Sequence, residues 1–164
     1  MYRSPKFLRN NSISQISNST EKIKNGSAFF AISGANVDGN NFIPEAIKKG
    51  ARIIVSSKKS SLRKVKNNKI IKIYSKNIRR FYSEECSRIF EYPSKKISIC
   101  GITGTNGKSS VAALLTHIWT LESSGVIGTI NIQYGNKKEK SKLTTPDSYE
   151  INKVLNKMKE KRIK

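Results

Sequence analysis

This sequence predicts an α/β protein made of two consecutive α/β units, and three observations carry that reading. Short apolar runs alternate with segments whose apolar residues recur every three or four positions, the patterns of buried strands and amphipathic helices. One glycine-rich turn, residues 103–107, stands between an apolar run and a helical pattern, the arrangement of a phosphate-binding β-to-α turn. The chain has 164 residues, 36% hydrophobic and 26% charged, which suits one ordinary domain or two small ones and argues against wholesale disorder.

The elements follow in order. Residues 27–33, Ser-Ala-Phe-Phe-Ala-Ile-Ser, form an apolar run between Asn25-Gly26 and Gly34 and read as a buried strand. A polar loop, residues 34–40, leads to Phe42, Ile43, Ala46 and Ile47 at helical spacing, with Pro44 tolerated in a first turn and Gly50 placed to stop the helix. Residues 52–56 and 69–74 are the next two strands. Ile78, Phe81, Tyr82, Cys86, Ile89 and Phe90 then form one stripe of an amphipathic helix that Pro93 ends. This alternation makes residues 1–93 a unit complete in itself.

A second unit, residues 94–164, begins with a strand at 96–102, the turn at 103–107, and a helix from Lys108 to about residue 122 carrying Val111, Leu114, Leu115 and Ile118. Residues 125–132 read as another strand, Gly135-Asn136 as a turn, and the segment from Asp147 as a helix with Ile151, Val154, Leu155 and Met158 on one stripe. A parallel sheet of about two strands cannot bury both faces. The second unit therefore reads as unfinished, with an open strand edge and the Ile151–Met158 stripe uncovered.

With 32 Lys and Arg against 11 Asp and Glu, the net charge is +21. Such a field attracts polyanions, but the lysines are scattered and not interleaved with aromatics on one face, so no specific nucleic-acid partner is expected. No apolar stretch approaches the roughly 20 residues that span a bilayer, and residues 1–10 lack a signal-peptide core; no membrane is expected and the chain reads as cytoplasmic. Cys86 and Cys100 lack metal-ligand spacing and read as small core residues. His117, inside the helix that starts at Lys108, reads as a surface or packing residue.

Gly101-Ile-Thr-Gly-Thr-Asn-Gly-Lys-Ser-Ser110 is the most informative stretch. Its glycines let backbone N–H groups turn toward phosphate oxygens, while the following helix presents the positive end of its dipole. Lys108 can neutralise β- and γ-phosphates, and the Ser109 hydroxyl can hold Mg²⁺. The common P-loop has four residues between its first glycine and Gly-Lys. Here five separate Gly101 from Gly107, with Ile102 at the expected place, so the match is to a variant.

That variant, Thr103-Gly-Thr-Asn-Gly-Lys-Ser109, resembles the ATP-binding loop of the Mur ligases, which build the peptide stem of bacterial cell-wall precursors, and of their folate-glutamylating relatives. Residues 26–51 resemble the N-terminal UDP-binding domain of these ligases. Gly128-Thr-Ile130 and Thr144-Thr-Pro-Asp147 resemble central-domain segments of the member that adds the third amino acid, and the second of them argues against the alternative of another member, such as the one that adds the terminal dipeptide.

The resemblance implies a small N-terminal α/β UDP-binding domain followed by the start of the P-loop central α/β domain. It implies cofactors ATP and Mg²⁺, and as partners UDP-N-acetylmuramoyl-L-alanyl-D-glutamate and an amino acid, diaminopimelate or lysine. The substrate carboxylate is phosphorylated and the amino acid's amine attacks the acyl phosphate. By matching positions, Gly104, Thr105, Asn106, Gly107, Lys108, Ser109 and Ser110 bind ATP, Lys108 acting as the catalytic cation and Ser109 as the metal ligand. Ser19, Ala35, Asn36 and Val37 contact the UDP-sugar, and Thr144 and Thr145 hold the substrate near the γ-phosphate. From the residues alone, Ser19 has the alternative reading of a turn residue, and 144–145 that of the lead-in to a helix capped by Asp147 with Glu150.

Two departures qualify the match. The family has Asp-Ser-Arg where this chain has Asn18-Ser19-Thr20, so an acidic and a basic group near the uridine site are lost. The sequence also stops before the family's magnesium-binding glutamate segment, its carbamylated lysine and its amino-acid-selecting motif, which leads to the expectation of an inactive N-terminal piece. The alternative from a different class is a non-catalytic protein that binds nucleotides or polyanions.

Overall fold

A computed structural model describes residues 8, 13, 15–34, 36–119, 123–140 and 146–163. Two compact units make up the chain, Met1–Ile89 and Phe90–Lys164.

The first unit is built on a four-stranded, wholly parallel sheet in the order β1 (Ile16–Ser17), β2 (Ala28–Ala31), β3 (Ile53–Ser56), β4 (Ile71–Tyr74). The central strands β2 and β3 are buried at every position, as strands covered on both faces must be. On one face Phe29, Ala31 and Ile54 pack with Ile43 and Ala46 of helix α1 (Ile43–Lys48) and Leu62 of helix α2 (Lys59–Lys64). Phe30, pointing the opposite way because side chains alternate along a strand, meets Phe81 and Tyr82 of helix α3 (Ile78–Ile89), with ring centroids 5.5 Å and 5.1 Å apart. The sheet is thus sandwiched between α1 and α2 on one side and α3 on the other, an α/β architecture as expected.

Several local features agree with the sequence. Pro44 lies in the first turn of α1, and Gly50, at φ +101°, ends it by donating its N–H to the Ile47 carbonyl at 3.0 Å. Ile78, Phe81, Tyr82 and Cys86 are buried on α3 as the stripe predicts, joined by Glu85, whereas Ile89 is only partly buried. That helix stops at Ile89, and Glu91 and Tyr92 adopt left-handed φ values of 58° and 55° before Pro93 opens a 3₁₀ turn. Two elements were not predicted. Strand β1 is only two residues long, and α2, Lys-Ser-Ser-Leu-Arg-Lys, has one apolar residue, Leu62, which is fully buried. Six residues with one apolar position carry no periodicity. The parallel pairing of β3 with β4 nonetheless demands a crossover connection there.

The second unit departs further from expectation. Residues 98–104 have no regular structure, so the predicted strand at 96–102 is absent. Ile99 is exposed and Cys100 is exposed rather than a core residue, whereas Cys86 is buried. An apolar run becomes a strand only when neighbouring strands take up its N–H and C=O groups, and no strand of this unit among the described residues pairs with it. The expected strand at 125–132 is two strands: β5 (Gly125–Ile127) and β6 (Asn131–Tyr134) form an antiparallel meander with β7 (Lys137–Lys140). Connections this short can join only antiparallel neighbours.

Helix α4 (Lys108–Trp119) and helix α5 (Ser148–Glu160) exchange their expected roles. Tyr134, Val154, Leu155, Met158 and Ile163 form a core, so the α5 stripe expected to be bare is covered. On α4 nothing described is buried: Val111, Leu114, Ile118 and Trp119 are 44%, 64%, 70% and 51% exposed.

Candidate nucleotide and sugar sites

Helix α4 begins at Lys108, immediately after the glycine-rich turn. Its first hydrogen bond runs from the Val111 N–H to the Gly107 carbonyl at 2.9 Å, which leaves the N–H groups of residues 108–110 without partners in the helix. Gly104 and Gly107 adopt φ +151° and +78°, conformations that side-chain-bearing residues resist. The turn is open. A Cβ added at Gly101 or Gly107 would meet no atom within 4 Å. The Lys108 ammonium folds back over the turn and donates to the carbonyls of Gly104 at 2.6 Å and Thr105 at 3.2 Å. An accessible cation, unpaired helix N–H groups and glycine freedom thus coincide within a few residues, a combination suited to a polyphosphate. Ser109 and Ser110 are exposed beside it, and His117 is exposed farther along the same helix.

In the first unit, parallel pairing places the C-terminal ends of all four strands on one edge, where open α/β sheets hold ligands. Ser19 follows β1 and Asn36 and Val37 follow β2, so the topology brings together sugar-site candidates 17 positions apart in the sequence. Ser19 caps a 3₁₀ turn, its hydroxyl accepting from the Glu21 N–H at 3.3 Å. Asn36 and Val37 are exposed, and their loop is closed by the Gly34 N–H donating to the Val37 carbonyl at 2.8 Å. Ala35, Thr144 and Thr145 lie outside the described residues.

What holds the loop is a polar network that the sequence reading missed. Asp38 accepts from the Ser33 hydroxyl at 2.8 Å, the Asn40 backbone N–H at 3.0 Å and side-chain amide at 2.7 Å, and the Lys58 ammonium at 2.5 Å. The Lys58 contact, then the Asn40 and Ser33 hydrogen bonds, hold its carboxyl well below the usual carboxylate range. The Ser56 hydroxyl of β3 donates to Asn40 at 2.6 Å, and Arg79 donates to the Ser33 carbonyl at 2.5 Å. Gly39 permits the closure, since a Cβ there would stand 2.8 Å from the Ile32 backbone nitrogen. Asp38-Gly39, a turn-forming pair after an apolar strand, was the available signal. The two departures noted beside Ser19 have structural employment: Thr20 donates to Glu45 at 2.8 Å, and Asn18 accepts from the Tyr82 hydroxyl at 3.5 Å.

Two family models match the sequence. Residues 12–89 match the Mur ligase family catalytic domain and residues 102–164 match the Mur ligase middle domain, together most of the chain. This chain belongs to the Mur ligase family. Among its relatives are UDP-N-acetylmuramoyl-L-alanyl-D-glutamate–2,6-diaminopimelate ligases from Oceanobacillus iheyensis, 35% identical over 96% of this chain, and from Clostridium perfringens, 37% identical over 92%. The chain spans 31% of the length of each. A solved MurF ligase from Thermotoga maritima in complex with ADP aligns with 87% of this chain and 29% of its own, at 21% identity and a TM-score of 0.47. As a Mur ligase sequence, the chain has its glycine-rich turn inside the middle-domain match, and its Ser19, Asp38 and Lys58 inside the catalytic-domain match. No helix among the described residues is long and apolar enough to cross a membrane.

Proposed function

We propose that this chain carries the nucleotide-binding and UDP-sugar-binding parts of an ATP-dependent ligase of peptidoglycan precursor synthesis. The reaction adds the third amino acid to UDP-N-acetylmuramoyl-L-alanyl-D-glutamate, and takes place in the cytoplasm. The names of the relatives favour diaminopimelate over lysine as that amino acid. Residues 1–93 are assigned to the UDP-sugar and residues 94–164 to ATP. The observation that carries the reading is the Lys108 ammonium held over the turn at Gly104 and Thr105, at the first residue of α4.

ATP supplies the phosphoryl group that activates the substrate carboxylate as an acyl phosphate. The turn from Gly104 to Ser110 surrounds the phosphates with backbone N–H groups. With ATP bound, Lys108 would give up its two carbonyl partners for phosphate oxygens and would neutralise charge on the transferred group. The exposed Ser109 hydroxyl is a hard oxygen donor of the kind Mg²⁺ accepts, and one protein oxygen with waters and phosphate oxygens is an ordinary set for that ion. Ser19, Ala35, Asn36 and Val37 orient the UDP-sugar at the strand edge. Arg79, bonded to the Ser33 carbonyl, brings a positive charge to the loop that follows β2. Thr144 and Thr145 position the substrate carboxylate.

Calorimetric titration of the 164-residue chain with MgATP, and separately with the UDP-muramoyl dipeptide, tests both halves. Saturable binding of each is expected, with Lys108→Ala weakening MgATP alone. Equal MgATP affinity before and after that substitution overturns the nucleotide assignment.

A further inference from the structure

The first unit holds a cleft of about 490 Å³ between α1 and α2, and its lining includes none of Ser19, Asn36 and Val37. Its apolar lining is Ile43, Pro44 and Ile47 from α1 and Val65 just past α2. Its polar lining includes Lys58, Lys64 and Lys66 and the hydroxyls of Ser60 and Ser61, with three asparagines, Asn40, Asn41 and Asn67. The only carboxylate in the lining is Asp38, which Lys58 already neutralises at 2.5 Å. Among the described residues, neither Lys64 nor Lys66 has an ion-pair partner. The Lys72 ammonium, bonded to the Val65 carbonyl at 2.5 Å, adds a third cation beside that wall.

Two ammonium groups without an ion-pair partner thus lie in the lining of a concave, partly apolar surface. Lys64 suits the negative end of α2, but Lys66 lies beyond the helix, and solvated lysines need no cleft. A cavity of a few hundred Å³ with an apolar floor and a few convergent polar groups is the form of a small-molecule site. We propose that this cleft binds a small anion with an apolar body, of the class of phosphate monoesters. Lys64 and Lys66 hold the phosphate, Ser60 and Ser61 donate to it, and Ile43, Pro44, Ile47 and Val65 cover the organic part. Its lining includes none of the residues assigned to ATP or to the UDP-sugar.

Phenyl phosphate serves as the probe, inorganic phosphate as the comparison without an apolar body, and the full chain is used at about 150 mM salt so that the diffuse field of the molecule is screened. Saturable binding of phenyl phosphate, read by calorimetry and by amide shifts of residues 58–67, is expected to be tighter than that of inorganic phosphate. The double variant Lys64→Gln, Lys66→Gln is expected to weaken it about tenfold or more, as loss of two charge-assisted contacts implies. Lys24→Gln with Lys48→Gln removes the same charge from exposed positions outside the cleft and is expected to leave binding unchanged. The proposal is overturned by non-saturable binding, by equal losses in the two double variants, by equal affinity for the two phosphates, or by shifts that leave residues 58–67 unmoved. Because MgATP binding is read on Lys108 alone, failure here leaves the nucleotide assignment standing.

Discussion

The Lys108 ammonium lies 2.6 Å from the carbonyl oxygen of Gly104, four residues earlier, so the cation of the glycine-rich turn is fastened to the turn's own backbone. Both bonds it makes are to exposed carbonyls. Such bonds exchange readily with water, and their net worth is small. Lys108→Ala is therefore expected to change the unfolding free energy by less than about 0.5 kcal/mol, while lowering MgATP affinity at least about tenfold. Urea unfolding and MgATP titration of the same variant separate the two effects. Gly107→Ala, which forces a methyl-bearing residue to φ +78°, is expected to cost about 1 kcal/mol and to weaken MgATP as well.

Asp38 is the anchor of the loop that follows β2. Removing it leaves Ser33, Asn40 and Lys58 without their common acceptor. Asp38→Ala is expected to destabilise by about 1–3 kcal/mol, seen as a lower urea midpoint.

The pH dependence of that contribution follows from the depressed pKa of Asp38. A carboxyl whose folded pKa lies below its unfolded value, about 3.9 for aspartate, stabilises the fold fully above that value and progressively less as pH falls toward the folded pKa. The difference in unfolding free energy between the parent chain and Asp38→Asn is expected to be largest above about pH 5 and to shrink below about pH 4. A difference that grows on acidification contradicts the network drawn around Asp38.

The two helices of the second unit make a paired prediction. Leu155 is buried at 8% exposure and Leu114 is 64% exposed. Leu155→Ala is expected to cost about 2–5 kcal/mol, whereas Leu114→Ser is expected to cost less than about 0.5 kcal/mol. Thermal unfolding of both variants in parallel checks the contrast, and a large loss at Leu114 shows that α4 is covered in solution.

Amide hydrogen exchange should order the chain in the same way. The N–H groups of β2 and β3 are bonded within a buried parallel sheet and are expected to exchange slowest. Those of residues 98–104, which have no regular structure, are expected to exchange fastest among the segments flanking the glycine-rich turn.

By itself the sequence determined the elements whose signal is local. The Phe29-Phe30 run, the Pro44 start and Gly50 stop of α1, the Ile78–Cys86 stripe of α3 and the Asp147 cap of α5, which accepts from the Glu150 N–H at 2.9 Å, each depend on residues a few positions apart. The glycine-rich turn was legible for the same reason, since its chemistry sits in consecutive residues. Tertiary structure decided whatever depends on partners distant in sequence. Residues 96–102 are as apolar as a strand, yet they remain irregular because strand formation needs neighbours. Residues 125–132 bend back at Gly128 to pair with themselves and with β7. Leu62 alone, fully buried, makes α2 part of the core. The acceptor role of Asp38 and the basic cleft beside it arise because β2 and β3 lie side by side, bringing residues 38 and 58 together. Periodicity records which face of an element is apolar, but which surface covers that face is settled only when the chain closes on itself.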